Sequence, residues 1–242
     1  MPVRGRVGLE LPEGWKAETA EVVEWDDREQ ESPPHRFTFT VTPSSPLETQ
    51  RFEMQAVVSG TGRMLPFRKT MPVVVGHDFI KEWMIVGPFP NDRGEGFDHI
   101  YPPELNIKVD ETYESLGKTI AWQKKAFPTG YIDLDSIMTP NDRVMAYAYV
   151  GIYSPRDQRV WLEVGADEGI KIFHNYKEIF SKRHTALLQP GTDRVPAHFY
   201  QGWNHIVVKV QDSVGTWGFY FEATDLFGRR LPDLRFAFDR AS

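Results

Sequence analysis

Apolar and polar positions alternate along much of this chain with the two-residue period of a half-buried β-strand. The clearest run lies between Val160 and Val210. Val160, Leu162 and Val164 alternate with Trp161 and Glu163, which gives one face to a core and leaves the other more exposed. Residues 165–169 read as a tight acidic turn, Ile170 and Ile172 resume the alternation, and Asn175-Tyr176 reads as a second turn. After a polar excursion, Gln201-Gly202 leads into a return strand with Ile206, Val208 and Val210. Val144, Ala146 and Ala148 alternate with Met145, Tyr147 and Tyr149, and Trp217, Phe219 and Phe221 fall on one face of a later strand.

The same period runs through the first third of the chain. Val7, Leu9 and Leu11 alternate with Gly8 and Glu10, and Trp15 follows a Pro12-Glu13-Gly14 turn as a core anchor. Residues 26–34 are charged and end in Pro-Pro, a solvated loop. Phe37, Phe39 and Val41 alternate with three Thr, and Phe52, Met54, Ala56 and Val58 continue after the break at residues 43–46. A hairpin turn is expected at residues 59–62, and residues 71–75 close the unit. About five or six short strands at this spacing suggest an immunoglobulin-like sandwich over residues 1–77.

Residues 78–242 carry about eight strands or more and long loops, which an antiparallel jelly roll accommodates. Residues 110–117 are expected to make one or two helical turns with Asp110 as N-cap and Gly117 as stop, and residues 120–127 one strand. No amphipathic helix of ordinary length is expected, which disfavours a doubly wound α/β fold. The fold class is therefore all-β.

Composition narrows function by exclusion. The formal net charge of -6 disfavours a nucleic-acid backbone as partner, because phosphate binding needs a basic surface. No run is long and apolar enough for a membrane-spanning helix, so no membrane insertion is expected. The absence of cysteine removes disulfides, thiolate nucleophiles and thiolate metal sites together. Aromatic residues make up 13%, with seven Trp. Packing accounts for most of them, with Trp83, Trp203 and Trp217 read as structural. Flat rings also stack on the apolar face of a pyranose.

Two resemblances bear on function. Residues 11–15 (LPEGW), then FTFTVTP and RFEMQAVVSG, resemble the immunoglobulin-like domains beside carbohydrate-binding modules in bacterial α-galactosidases and other secreted hydrolases. Such domains act as spacers. The segments WMIVGPF, YAYV, GADEGIKIFHN and GWNHIVVKV resemble galactose-binding-like jelly rolls, similar to sugar-binding domains of glycoside hydrolases and to protective-antigen-type modules. That resemblance implies a non-catalytic accessory fragment of a larger bacterial hydrolase, secreted or periplasmic. Carbohydrate is the expected partner, together with a catalytic domain of the same polypeptide. The alternative is a purely structural module that positions a hydrolase, deacetylase or peptidase domain and has no ligand of its own. Where many relatives carry Asn-Gly-Lys at the second turn, this chain has Asn175-Tyr176-Lys177, so the loop is expected to change shape or expose the ring.

Catalytic signatures are largely absent: no GxSxG elbow, Walker loop, dinucleotide GxGxxG or HExxH occurs, and no two of the seven His stand at metal-ligand spacing. The candidate ligand-binding residues are Asp92, Arg93, Asp98, His99, Tyr101 and Glu104 in one polar loop, with His174, Tyr176 and His184 around the later excursion. In the loop, carboxylates and Arg would hydrogen-bond sugar hydroxyls with Tyr101 as a stacking platform; alternatively the charges pair with one another in a crossover pinned by Pro102-Pro103. Asp167 and Glu168 are candidate ligands of a structural calcium ion or acceptors for sugar hydroxyls, or else bond backbone N–H groups near their turn. Asp133 and Asp135 should share a strand face. Their separation could suit glycoside hydrolysis, although paired acids on an exposed strand face are ordinary.

Overall fold

A computed structural model describes residues 3–18, 22–27, 38–44, 51–61, 66–183 and 188–239. They fall into two compact units, residues 1–77 and 78–242.

In the first unit β1 (Val3–Glu10), β3 (Val22–Asp27), β5 (Arg51–Thr61) and β6 (Pro66–Gly76) form an antiparallel sheet in the order β3-β1-β5-β6. Between these strands in sequence, β2 (Lys16–Ala17) and β4 (Val41–Thr42) make a separate two-stranded ladder. Val7 and Trp15 are buried. Three local expectations change. Asp26 and Asp27 belong to β3 rather than to a loop, and residues 38–40 carry no strand. Ser59 to Thr61 continue β5 instead of turning, because each pairs with a residue of β6. Phe37 lies outside the described residues.

The second unit is a two-sheet sandwich. One sheet contains β7 (Glu82–Pro90), β10 (Gln123–Ala126), β12 (Val144–Ser154), β14 (Ile170–His174), β15 (Lys177–Lys182), β17 (Gly202–Gln211) and β19 (Arg235–Ala237). Its order is β10-β7-β12-β17-β14-β15, with β19 pairing the far end of β12. The other sheet contains β11 (Ile132–Asp133), β13 (Gln158–Ala166), β16 (Asp193–Phe199) and β18 (Gly218–Thr224) in the order β11-β18-β13-β16. The chain passes repeatedly from one sheet to the other, as it does in a jelly roll.

The alternation explains how the sheets meet. Ala146, Ala148, Val150, Ile206 and Val208 face Leu162, Val164, Phe219 and Phe221 in one continuous core. Trp83 stands edge-on to Phe219 and Phe221, with ring centroids at 5.5 and 5.3 Å, and its indole N–H donates to Ile80 O at 2.8 Å. Each fully buried large apolar side chain of this kind contributes about 1.5–3 kcal/mol.

The larger sheet is covered on its outer face too. There Met145, Tyr147, Tyr149 and Val207 pack with Phe89, Phe97, Ile107, Tyr113 and Trp122 in a second core. The cover is the excursion between β7 and β10. It holds a 3-10 stretch (Asp92–Phe97), the one-turn helix α1 (Pro102–Leu105), and the hairpin of β8 (Thr112–Ser115) and β9 (Lys118–Ala121). Helical turns expected at 110–117 are thus replaced by a strand. Tyr113 and Ser115 point inward while Thr112 and Glu114 point out, and Leu116-Gly117 turns the chain with φ of 51° and 75°. The strand expected over 120–127 is broken at buried Trp122 into β9 and β10.

Candidate functional site

The polar loop after β7 is a packed strap. Glu104 caps its own one-turn helix by accepting from Tyr101 N at 3.2 Å, and the same oxygen accepts from Lys209 Nζ at 2.7 Å and Tyr147 Oη at 2.5 Å. Lys209 also donates to His99 O at 2.6 Å. The two charged side chains are 0% and 8% exposed, so this pair is desolvated and its geometry matters more than that of a surface pair. Burial lowers the Lys209 pKa, against the pull of Glu104. Burial first, then Glu104, raises that of Tyr147 well above its ordinary value.

The remaining loop candidates divide. The Tyr101 hydroxyl donates to Pro90 O at 2.5 Å and its ring packs on Phe89 at 4.8 Å, which occupies the face expected to stack on a sugar. Asp98 pairs with Arg183 at 2.7 Å and faces Lys171 at 3.8 Å. His99 is exposed, its ring edge-on to Tyr101. Asp92 and Arg93 are also exposed, and they line a polar cavity of about 1000 Å³ with Asn91, Arg143, Arg183 and Gln211.

The acidic turn between β13 and β14 separates its two carboxylates. Both are buried, at 5% for Asp167 and 8% for Glu168. Asp167 lies toward Tyr131, Thr216 and Gly218. Burial raises its pKa; the Thr216 hydroxyl and nearby amides pull it down, although neither carboxylate oxygen has a partner within hydrogen-bond geometry. Glu168 lies instead toward Asp212. The expected bonds from Asp167 to turn amides are therefore not made. Among the described residues, no three His, Cys, Asp or Glu side chains come close enough to hold a metal by themselves.

Asp133 and Asp135 do not share a strand face, since β11 ends at Asp133. Asp133 accepts from Ser136 N at 3.1 Å. Asp135 accepts from Asn141 Nδ2 and from Trp217 N, both at 3.0 Å.

A different groove forms around His174, at the ends of β14, β13 and β16. Asn204 is oriented by donation from its Nδ2 to Tyr200 O at 2.8 Å. Its Oδ1 therefore accepts, and His174 Nε2 donates to it at 3.1 Å, which fixes the His174 tautomer. Burial lowers the His174 pKa, with the Asn204 bond opposing and His198 reinforcing. The His174 ring stacks with Tyr200 at 6.3 Å, and His198 stands edge-on to Tyr200 at 4.9 Å. These rings, with Trp161, Lys177 and Leu226, line a cavity of about 840 Å³. Tyr200 is 56% exposed.

Tyr176 sits outside that lining. Asn175 and Tyr176 keep φ of 49° and 67°, so the two-residue turn holds the shape a glycine would favour, and the Tyr176 ring is turned out beside His205. His184 lies outside the described residues. Sequence reasoning did not single out Trp161, His198 and Tyr200 as groups that line one groove. The available signal was His198 and Tyr200 flanking buried Phe199, two residues of one face at the end of a strand.

No family model matches the chain, and no curated protein matches it. A solved structure described as an anti-sigma factor domain-containing protein aligns with 94% of this chain and 75% of its own, at 7% sequence identity and a TM-score of 0.40. Those values carry no argument about function.

Proposed function

We propose that residues 78–242 form a non-catalytic carbohydrate-binding module, an accessory to a hydrolase domain of the same polypeptide. The saccharide lies in the groove beside His174. The observation that carries this reading is the lining of that groove: Trp161, His198 and Tyr200 in one concavity, with His174 held in one tautomer behind them. Ring faces stack on the apolar face of a pyranose, while ring N–H, phenol and ammonium groups hydrogen-bond its hydroxyls. Affinity electrophoresis on a panel of polysaccharides tests it. The wild type is expected to be retarded by at least one of them. Tyr200→Ala and Trp161→Ala should each weaken binding about tenfold, roughly 1.4 kcal/mol. Binding unchanged in both variants would move the ligand elsewhere.

A structural module without a ligand is the second reading. It is supported by Asp98, Tyr101 and Glu104, which are all spent on holding the strap to the sheet. No retardation by any polysaccharide, together with stable docking to a neighbouring domain of the full-length protein, would favour it.

A further inference from the structure

We propose that Asn91, Glu168, Gln211 and Asp212 form a calcium site at the end of the jelly roll where β7, the β13–β14 turn and β17 meet. This goes beyond the carbohydrate reading and does not depend on it.

Four buried oxygens carry the inference. Asn91 Oδ1, Glu168 Oε2, Gln211 Oε1 and Asp212 Oδ1 each have no hydrogen-bond partner among the described residues. Their residues are 2%, 8%, 8% and 0% exposed. Native proteins leave few buried polar atoms unsatisfied, and one that is left needs a reason.

The other end of three of these side chains is already engaged. Asn91 Nδ2 donates to Asp212 O at 2.9 Å, and Gln211 Nε2 donates to Ser213 Oγ at 3.3 Å. Asp212 Oδ2 accepts from Arg143 N at 3.0 Å. Each amide therefore spends its nitrogen on the protein and leaves its oxygen. The same set of bonds draws the residues together. Gln211 N donates to the carbonyl of Gly169, the neighbour of Glu168, at 2.7 Å. A Cβ on Gly169 would stand 2.8 Å from Gln211 Oε1, and one on Gly96 would stand 2.9 Å from Asn91 Oδ1. Those two glycines keep side chains away from the oxygens. Asn91 and Gln211 also line the same polar cavity, which gives an entry path.

The charge balance points the same way. Glu168 and Asp212 are both buried, and neither forms an ion pair among the described residues. Asp135 and Asp142 add negative charge to the same region. Two carboxylates and two amide oxygens, with no nitrogen or sulfur ligand, suit a hard cation that takes many oxygen ligands at flexible geometry. Calcium fits that description better than zinc. Asp167, on the other side of the turn, is not part of the set.

The test uses the whole chain, treated with chelator and desalted. Equilibrium dialysis against calcium should find one ion bound per chain, and the melting temperature should rise with added calcium. Glu168→Gln and Asp212→Asn should each weaken binding by about tenfold or more. Asp212→Asn should still melt cooperatively in chelator, because it removes one of two repelling carboxylates; if it fails to fold, Glu168→Gln alone decides. No calcium bound at about 10 mM, a concentration above that needed even by weak extracellular sites, would overturn the proposal. So would calcium binding that Glu168→Gln leaves unchanged.

Discussion

Asp212 concentrates at one residue the tension that a burial pattern creates. Burial first, and then the charges of Glu168, Asp135 and Asp142, outweigh the Arg143 amide and push its carboxyl up to about 7. A folded-state value above the ordinary carboxylate range means that the folded protein holds this proton more tightly than the unfolded chain. Its contribution to stability is complete below the ordinary carboxylate pKa of about 3.9 and is lost as pH rises through about 7. In chelator, denaturant titrations between those limits should show stability falling with pH, and Asp212→Asn should flatten the fall. An unchanged slope in that variant would assign the effect to another group. Added calcium should oppose the trend, since its ligands must be ionised. Tyr176 presents a simpler residue-scale case. Its φ of 67° is costly for a residue with a Cβ, and its ring is half out of the protein, so Tyr176→Gly should raise stability by about 1 kcal/mol in urea denaturation. The resemblance to an Asn-Gly-Lys turn pointed to this position, and its backbone has the positive φ that favours glycine. Reading the sequence could not tell whether the backbone or the side chain would give way; the backbone shape is what persists, because Asn175 and Tyr176 join strands paired at His174 and Lys177.

The strap between β7 and β10 is an element held by one buried ion pair. Lys209 lies in the run Ile206 to Val210, whose odd positions face the strap and whose even positions face the inter-sheet core. A lysine there needs an acidic partner, and Glu104 is the carboxylate paired with it among the described residues. Removing one partner leaves the other charge buried, so Lys209→Met or Glu104→Leu should each cost about 3–5 kcal/mol. Replacing both, Lys209→Met with Glu104→Leu, should recover much of that loss, and equilibrium denaturation of the single and double variants measures the coupling. Near-additive losses would mean that the strap is held by its apolar contacts alone. At this scale the sequence was legible where strands are long and half-buried, and poor where they are short. Thr112 to Ser115 offers only two inward positions, too few to separate period two from a helical turn, and Asp110 with Gly117 imitates a cap and a stop. Lys209 itself was a readable signal: a charge inside an apolar strand implies a buried partner, although its identity across the strap could not be read.

For residues 78–242 as a whole, alternation alone specified which residues face the inter-sheet core, because a strand has only two faces. The ends of the sandwich were hidden. Asn91 follows β7, Glu168 lies in the β13–β14 turn and Gln211 ends β17, three places far apart in the chain, and the groove at His174 joins β13, β14 and β16; no spacing rule links such residues. The same architecture makes a claim about autonomy. Both faces of β12 are closed by residues of this unit, one by the second sheet and the other by the strap. A segment that supplies both of its own cores should fold by itself. Residues 78–242, expressed alone, should therefore melt in one cooperative calorimetric transition with an enthalpy on the order of 100 kcal/mol near 60 °C, as a domain of that size requires. It should also keep its near-ultraviolet circular dichroism, since Trp83, Trp217, Phe219 and Phe221 are fixed within it. A broad transition with dye-binding apolar surface would mean that this core is incomplete without residues 1–77. Calcium should shift that transition upward in the fragment as it does in the full chain, because all four proposed ligands lie within the segment.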